Sequence, residues 1–264
     1  MKIIISYPPL NSQKGYPTLG QNRQFQFFKE PTYIYPVVPA TAATLLKQAG
    51  HQVIWNDCIA QGWTYPQFLD FIRTEKPDLI AFETKTPVVK QHWKIINDIK
   101  GQSPSGTDPK IVLFGDHVTA LPEESFKNSP VDFVLTGGDY DFLLLNLCNF
   151  LKKKGLSHDI KGLSPTQLNN YCTKRTVPET KGTVPDNIEL EPGIYYRDNG
   201  QINPSTTLRI DGERSRTIKN SGKFKLDHDL NKIPFIDRDL TRWQLYAYKN
   251  GNYKRTPGTY IMSG

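Results

Sequence analysis

The chain has 264 residues and a net charge of +7, long enough for one large domain or for one domain with a substantial appendage. No run of about 18 apolar residues occurs, so no membrane span is predicted. Three cysteines, Cys58, Cys148 and Cys172, have the spacing of neither a disulfide framework nor a zinc knuckle, and a reducing, cytoplasmic setting is expected.

The first apolar run, "IIISY" at 3–7, is too short for a signal peptide and reads as a strand. Further buried-strand runs follow: "QVIWN" (52–56), "LIAFE" (79–83), "IVLFG" (111–115) and "DFVLT" (132–136). Between them lie helical patterns, "PATAATLLKQAGH", "YPQFLDFIRTEKP" and "PVVKQHWKIINDIKG", and a last helix runs to about Lys154. Gly50 is placed to end the first of these helices and Pro77 the second. Strand–helix alternation of this kind predicts an α/β fold, a doubly wound (Rossmann- or flavodoxin-like) five-stranded parallel sheet over residues 1–155.

Beyond 155 the texture changes. "GLSPTQLNNYCTKRTVPETKGTVPDN" has no sustained period and reads as a linker or insertion, so 156–264 is expected to be an irregular connector. Within it "GIYYRDNGQINPS" predicts a β-hairpin turning at Asp198-Asn199-Gly200. The charge is concentrated here: residues 1–150 hold 13 Lys/Arg against 14 Asp/Glu, and residues 151–264 hold 20 against 12. The basic residues are scattered, with no helical stripe, which argues against a nucleic-acid partner.

An open parallel sheet binds ligands outside the carboxyl ends of its strands. The residues expected at that edge are Ser6, Tyr7, Pro8 and Pro9 after the first strand and Thr84, Lys85 and Thr86 after the third. Gly115, Asp116, His117, Val118 and Thr119 follow the fourth strand, and Gly137, Gly138 and Asp139 the fifth. A dinucleotide site needs a glycine-rich first turn, and "SYPPLNSQKG" opens with two prolines instead. The connection from Pro8 to about Pro36 is far longer than the roughly 2–6 residues usual there, and carries Tyr16, Phe25, Phe27, Phe28, Tyr33 and Tyr35. Such a loop either covers a large, flat, partly apolar ligand or folds its aromatics onto its own domain. Asp116 and His117 are adjacent, so on extended backbone their side chains point apart, against a catalytic pair. The remaining histidines are dispersed and no Gly-x-Ser-x-Gly elbow occurs, so neither a metal ligand set nor a serine nucleophile is assigned.

Several stretches together resemble the N-terminal cobalamin-binding domain of cobalamin (B12)-dependent radical SAM enzymes. They are Tyr7-Pro8-Pro9, the helix from Pro39 to Ala49-Gly50-His51, and Gly115 to Thr119 followed by Leu121-Pro122-Glu123-Glu124. Gly137-Gly138-Asp139-Tyr140-Asp141 matches the family's Gly-Glu-Gly-Glu in part, and "IPFIDRDL" is similar to its Leu-Pro-x-Pro-x-Arg-Asp-Leu segment, with Ile236 where proline is common. The resemblance covers about 1–150 and 190–264. It implies cobalamin as cofactor, contacted by the edge residues named above, with methyl transfer or related chemistry in the intact enzyme. It also implies that the 4Fe-4S cluster and S-adenosylmethionine belong to a radical SAM domain of the same polypeptide, downstream of "TYIMSG". The chain is accordingly expected to be a fragment that stops before that domain's Cys-x-x-x-Cys-x-x-Cys loop, with no catalytic residue of its own. The Asp-x-His-x-x-Gly motif that places a histidine on cobalt in many cobalamin proteins is absent, so His117 is expected to contact the corrin without ligating the metal. The alternatives are a stand-alone cobalamin sensor or carrier and a nucleotide-binding Rossmann protein.

Overall fold

Residues 1–10, 12–19, 26–101, 108–155, 189–197, 218–248 and 255–258 are described by the structure, a computed structural model. Five strands form the expected parallel unit: β1 (Lys2–Tyr7), β4 (Gln52–Asp57), β5 (Leu79–Glu83), β6 (Lys110–Phe114) and β7 (Phe133–Leu135). They lie in the order β4-β1-β5-β6-β7, the flavodoxin-like arrangement in which the winding reverses between β1 and β5. Ile3, Ile4 and Ile5 of β1 pair with Val53, Ile54 and Trp55 on one side and with Leu79, Ile80 and Ala81 on the other. Every residue of β5 is buried, as expected of a central strand covered on both faces.

The pleat divides the core in two. Ile3 and Ile5 face a cluster that includes Ala43 and Leu46 of α1 (Val37–Gln48) and Leu143, Leu144 and Leu147 of α7 (Tyr140–Lys153). Ile4, Ile80 and Phe82 face Phe68 and Ile72 of α3 (Tyr65–Glu75) and Trp93 and Ile96 of α4 (Val89–Gly101). Gly50, at a φ of +75°, follows α1, and α3 stops two residues before Pro77.

The sheet continues past residue 155. β8 (Ile194–Arg197) runs antiparallel to β7, and β9 (Ile218–Asn220) antiparallel to β8, making a seven-stranded mixed sheet. The turn expected at Asp198-Asn199-Gly200 lies outside the described residues. Two short strands, β2 (Tyr16–Thr18) and β3 (Gln26–Phe28), form a separate antiparallel ribbon within the long first connection. Of the aromatics in that connection, Tyr33 and Tyr35 belong to the core cluster, so for these two the folding-back alternative holds. Short helices fill the remaining turns: α2 (Cys58–Gln61), α5 (Asp116–Ala120), α6 (Glu124–Asn128) and α8 (Gln244–Ala247). The stretch carrying α8 packs on the first half of the chain. Asp237 ion-pairs with Lys47 at 2.5 Å, and its N–H donates to Thr44 Oγ1 at 3.0 Å. Tyr35 and Thr241 share a hydroxyl–hydroxyl hydrogen bond. No helix among the described residues is long and apolar enough to cross a membrane.

Candidate functional site

Winding reversal leaves a crevice between the carboxyl ends of β1 and β5. At its floor Tyr7, the last residue of β1, donates its hydroxyl to Glu83 Oε2 at 2.5 Å. Glu83 ends β5 and is buried. Burial raises its carboxyl to about 7, against the lowering effects of the Tyr7 hydrogen bond and the Lys85 charge. Lys85 Nζ stands 3.9 Å from Glu83 Oε1 and 3.0 Å from Asp116 Oδ2, which links the β5 loop to the β6 loop.

The β6 loop starts with Gly115 at a φ of +115° and a ψ of −173°, and the next residue begins a helix. The expectation of extended backbone at Asp116 and His117 therefore does not hold; both lie in the first turn of α5. They still act apart. Asp116 is exposed and pairs with Lys85, while His117 is buried, with Nδ1 3.1 Å from Thr86 Oγ1. His117 Nε2 is 3.1 Å from Glu124 Oε2 without the alignment of a hydrogen bond.

Thr119 does not offer its hydroxyl outward. The oxygen donates to Gly115 O at 2.9 Å and accepts from Gly137 N at 3.1 Å, so it ties the β6 loop to the β7 loop. The glycines are crowded by protein as well. A Cβ on Gly115 would lie 2.5 Å from the Thr84 carbonyl oxygen, and one on Gly137 would lie 2.6 Å from the Phe224 ring. Gly138 is open, its nearest neighbour being a Leu226 methyl at 3.5 Å. Beyond it, Asp139 Oδ2 meets His228 Nδ1 at 3.0 Å, and His228 Nε2 meets Glu191 Oε2 at 2.8 Å. Burial lowers the His228 pKa, but the two carboxylates outweigh it and hold the imidazole above its ordinary value.

The Thr84–Thr86, Gly115–Thr119 and Gly137–Asp139 loops thus form one linked series, with Tyr7 joined to it through Glu83. Ser6 is buried and bonds Asn56 at 2.9 Å, away from the other loops. Pro8 is buried, Thr84 bonds His92 at 2.8 Å, and Val118 lies in the core. The rim consists of the exposed Thr86, Asp116 and Gly138 and the half-buried Pro9, Thr119, Gly137 and Asp139. Sequence reasoning missed Glu83, Asp57 and the stretch carrying Phe224, Leu226 and His228. A carboxylate closing an apolar run, as in "LIAFE", is a usable signal for Glu83. Asp57 closes β4 in the same way, but the second strand's loop was left out of the expected edge. Asp57 accepts from Ala60 N at 2.9 Å and from the Tyr246 hydroxyl at 2.7 Å, and that hydroxyl accepts from Trp55 Nε1 at 3.0 Å.

No protein-family pattern matches the chain, and no curated protein matches it in sequence. Its fold does match solved structures. One is the cobalamin-dependent S-adenosylmethionine radical enzyme OxsB with aqua-cobalamin bound, at 15% identity and a TM-score of 0.51, covering 85% of this chain and 22% of OxsB. Another is selenomethionine-labelled OxsB in its apo form, at 14% identity and a TM-score of 0.53, covering 93% of this chain and 25% of OxsB. A third is the radical S-adenosylmethionine methyltransferase TsrM from Kitasatospora setae, with cobalamin and a [4Fe-4S] cluster bound, at 12% identity and a TM-score of 0.47, covering 88% of this chain and 30% of TsrM. At such identities the OxsB likeness is one of fold, and this chain spans about a quarter of the OxsB length.

Proposed function

We propose that this chain is the cobalamin-binding module of a B12-dependent radical SAM enzyme. The observation that carries the reading is the joining of Tyr7, just before the Pro-Pro turn, to Glu83, and of the Thr84–Thr86, Gly115–Thr119 and Gly137–Asp139 loops to one another along one carboxyl edge, in a fold like that of OxsB. The residues present fit a corrinoid held by its periphery. The open rim at Thr86, Asp116, Gly138 and Asp139 carries hydroxyl, carboxylate and backbone amide groups, suited to the polar side chains of a corrin ring. His117 is buried, with Nδ1 held by Thr86 and Nε2 facing the Glu124 carboxylate, so in this reading it is no ligand to cobalt. The chemistry expected of such a cofactor is carriage and donation of a methyl group. The iron–sulfur cluster and S-adenosylmethionine belong, on this reading, to a radical SAM domain of the same polypeptide.

Within the chain, residues act on the cofactor by holding it and by shielding one side from water, and none is assigned a catalytic role. Purified protein mixed with hydroxocobalamin is expected to carry about one corrinoid per chain through gel filtration, with a base-off absorbance spectrum. A colourless protein would overturn the proposal. Gly138→Phe sharpens the test, because Gly138 lies outside the positive-φ region and its Cβ direction is free of backbone. The phenyl ring is expected to block the rim and cut corrinoid retention at least about tenfold, while the melting temperature stays unchanged.

A further inference from the structure

A cleft of about 280 Å³, counting its open mouth, lies beside the carboxyl ends of β1 and β4. Tyr7, Thr18, Tyr33, Pro36, Asp57 and Tyr246 contribute to its wall, and among the described residues lining it Asp57 alone is charged. The Asp57 side chain accepts from Ala60 N and from the Tyr246 hydroxyl, and the Ile59 N–H also stabilises its charge. Among the described residues no lysine or arginine stands within ion-pair distance of it. Burial raises its carboxyl to about 6, which leaves it ionised at pH 7.5. The phenols of Tyr7, Tyr33 and Tyr246 are held above their ordinary values by burial, so all three are neutral. The α2 cap and the Tyr246 hydroxyl satisfy both carboxylate oxygens with neutral donors, which leaves a buried anion without a cation.

Size narrows the missing partner. The enclosed part of the cleft has room for a group about as large as a water molecule. A primary ammonium head is of that size, has three donors and carries the complementary charge. A guanidinium or a quaternary ammonium is too large. We propose that this cleft binds a small primary amine, its ammonium head paired with Asp57 and its body lying between the tyrosines toward the mouth. The site lies on the β4 side of β1 and shares Tyr7 with the β1–β5 crevice, but its test does not depend on the corrinoid reading.

The test uses the full chain at pH 7.5 and constant ionic strength, titrated with n-butylammonium. Ligand saturation-transfer NMR is expected to show saturable binding, and the melting temperature to rise with ligand concentration. Tetramethylammonium and potassium are expected to do neither. Asp57→Asn retains an oxygen that can cap α2 and is expected to weaken butylammonium binding at least about tenfold. No saturable binding to the wild type overturns the proposal, as does equal binding of tetramethylammonium or potassium, or full affinity in a folded Asp57→Asn protein. Should that variant fail to fold, the wild-type preference for the primary ammonium over the other two cations decides the matter.

Discussion

Gly115 fixes the geometry of the β6 loop through two requirements that fall on one residue. Its φ of +115° is strained for any L side chain, and a Cβ would stand 2.5 Å from the Thr84 carbonyl oxygen and 3.3 Å from the Thr84 nitrogen. Thr84 cannot easily yield, since its N–H donates to Phe114 O at 2.8 Å and its side chain bonds His92. Gly115→Ala is therefore expected to cost about 2–4 kcal/mol in urea unfolding, the range of strain combined with overpacking. A loss below about 1 kcal/mol would mean that the two loops separate readily. The sequence marks Gly115 as special, a glycine ending an apolar run, but it does not say what approaches it. A ligand was expected there, and the Thr84 backbone fills the place. The same limit applies to Thr119, whose hydroxyl is legible as an edge group but not as a tie between Gly115 and Gly137. Asp57 and Tyr246 meet from positions 189 residues apart, and no local pattern encodes that contact.

At the scale of elements, the parallel strands were legible because strands covered on both faces are nearly continuous apolar runs, and the helices because their apolar residues recur with helical period. The strand β8 was expected only as part of a linker hairpin. Its burial alternates, Ile194 and Tyr196 inward, as in a strand with one covered face, and beside its backbone pairing with β7 a side chain anchors its end. Arg197 donates from Nε to Val131 O at 3.1 Å and from Nη2 to Ser129 O at 2.8 Å, and it also reaches Phe126 O. Its guanidinium lies 5.3 Å from the Phe126 ring centroid. One planar fork thereby closes the carboxyl end of α6 and fixes the edge of the sheet. Arg197→Lys keeps the charge but loses the fork, and is expected to destabilise the fold by about 1–2 kcal/mol. Amide hydrogen exchange checks the assignment: protection should fall first in β8 and β9 while β1 and β5 keep theirs. Uniform loss of protection across the sheet would show that Arg197 does not act on this edge in particular.

Over the whole molecule, buried titratable groups set opposing pH dependences, and their signs can be worked out group by group. Burial raises Glu83 from 4.5 to about 7, so the fold favours its protonated form. The stability this brings is fully present below 4.5 and is lost as pH rises through 7. Burial also raises Asp57 and Asp141 to about 6, with the same sign over a lower window. His51 and His92 run the other way, lowered by burial from 6.5 to about 4 and about 3. Their contribution is present above 6.5 and lost as pH falls toward those values. Stability should consequently rise on acidification from pH 8 to about 4.5, where the gain from three carboxyls exceeds the loss from two histidines, and fall in stronger acid as the buried histidines are forced to charge. Glu83 accounts for about 1 kcal/mol of the rise between pH 8 and 6, from the linkage of one group shifted by that amount. Glu83→Gln keeps an oxygen to accept the Tyr7 hydroxyl and removes the titration. Melting temperatures across pH 5–8 should therefore rise less on acidification in Glu83→Gln than in the wild type, with a flatter alkaline limb. Equal alkaline slopes in the two proteins would mean that Glu83 is not the group that titrates there, and that the carboxyl end of β5 is better hydrated than its burial implies.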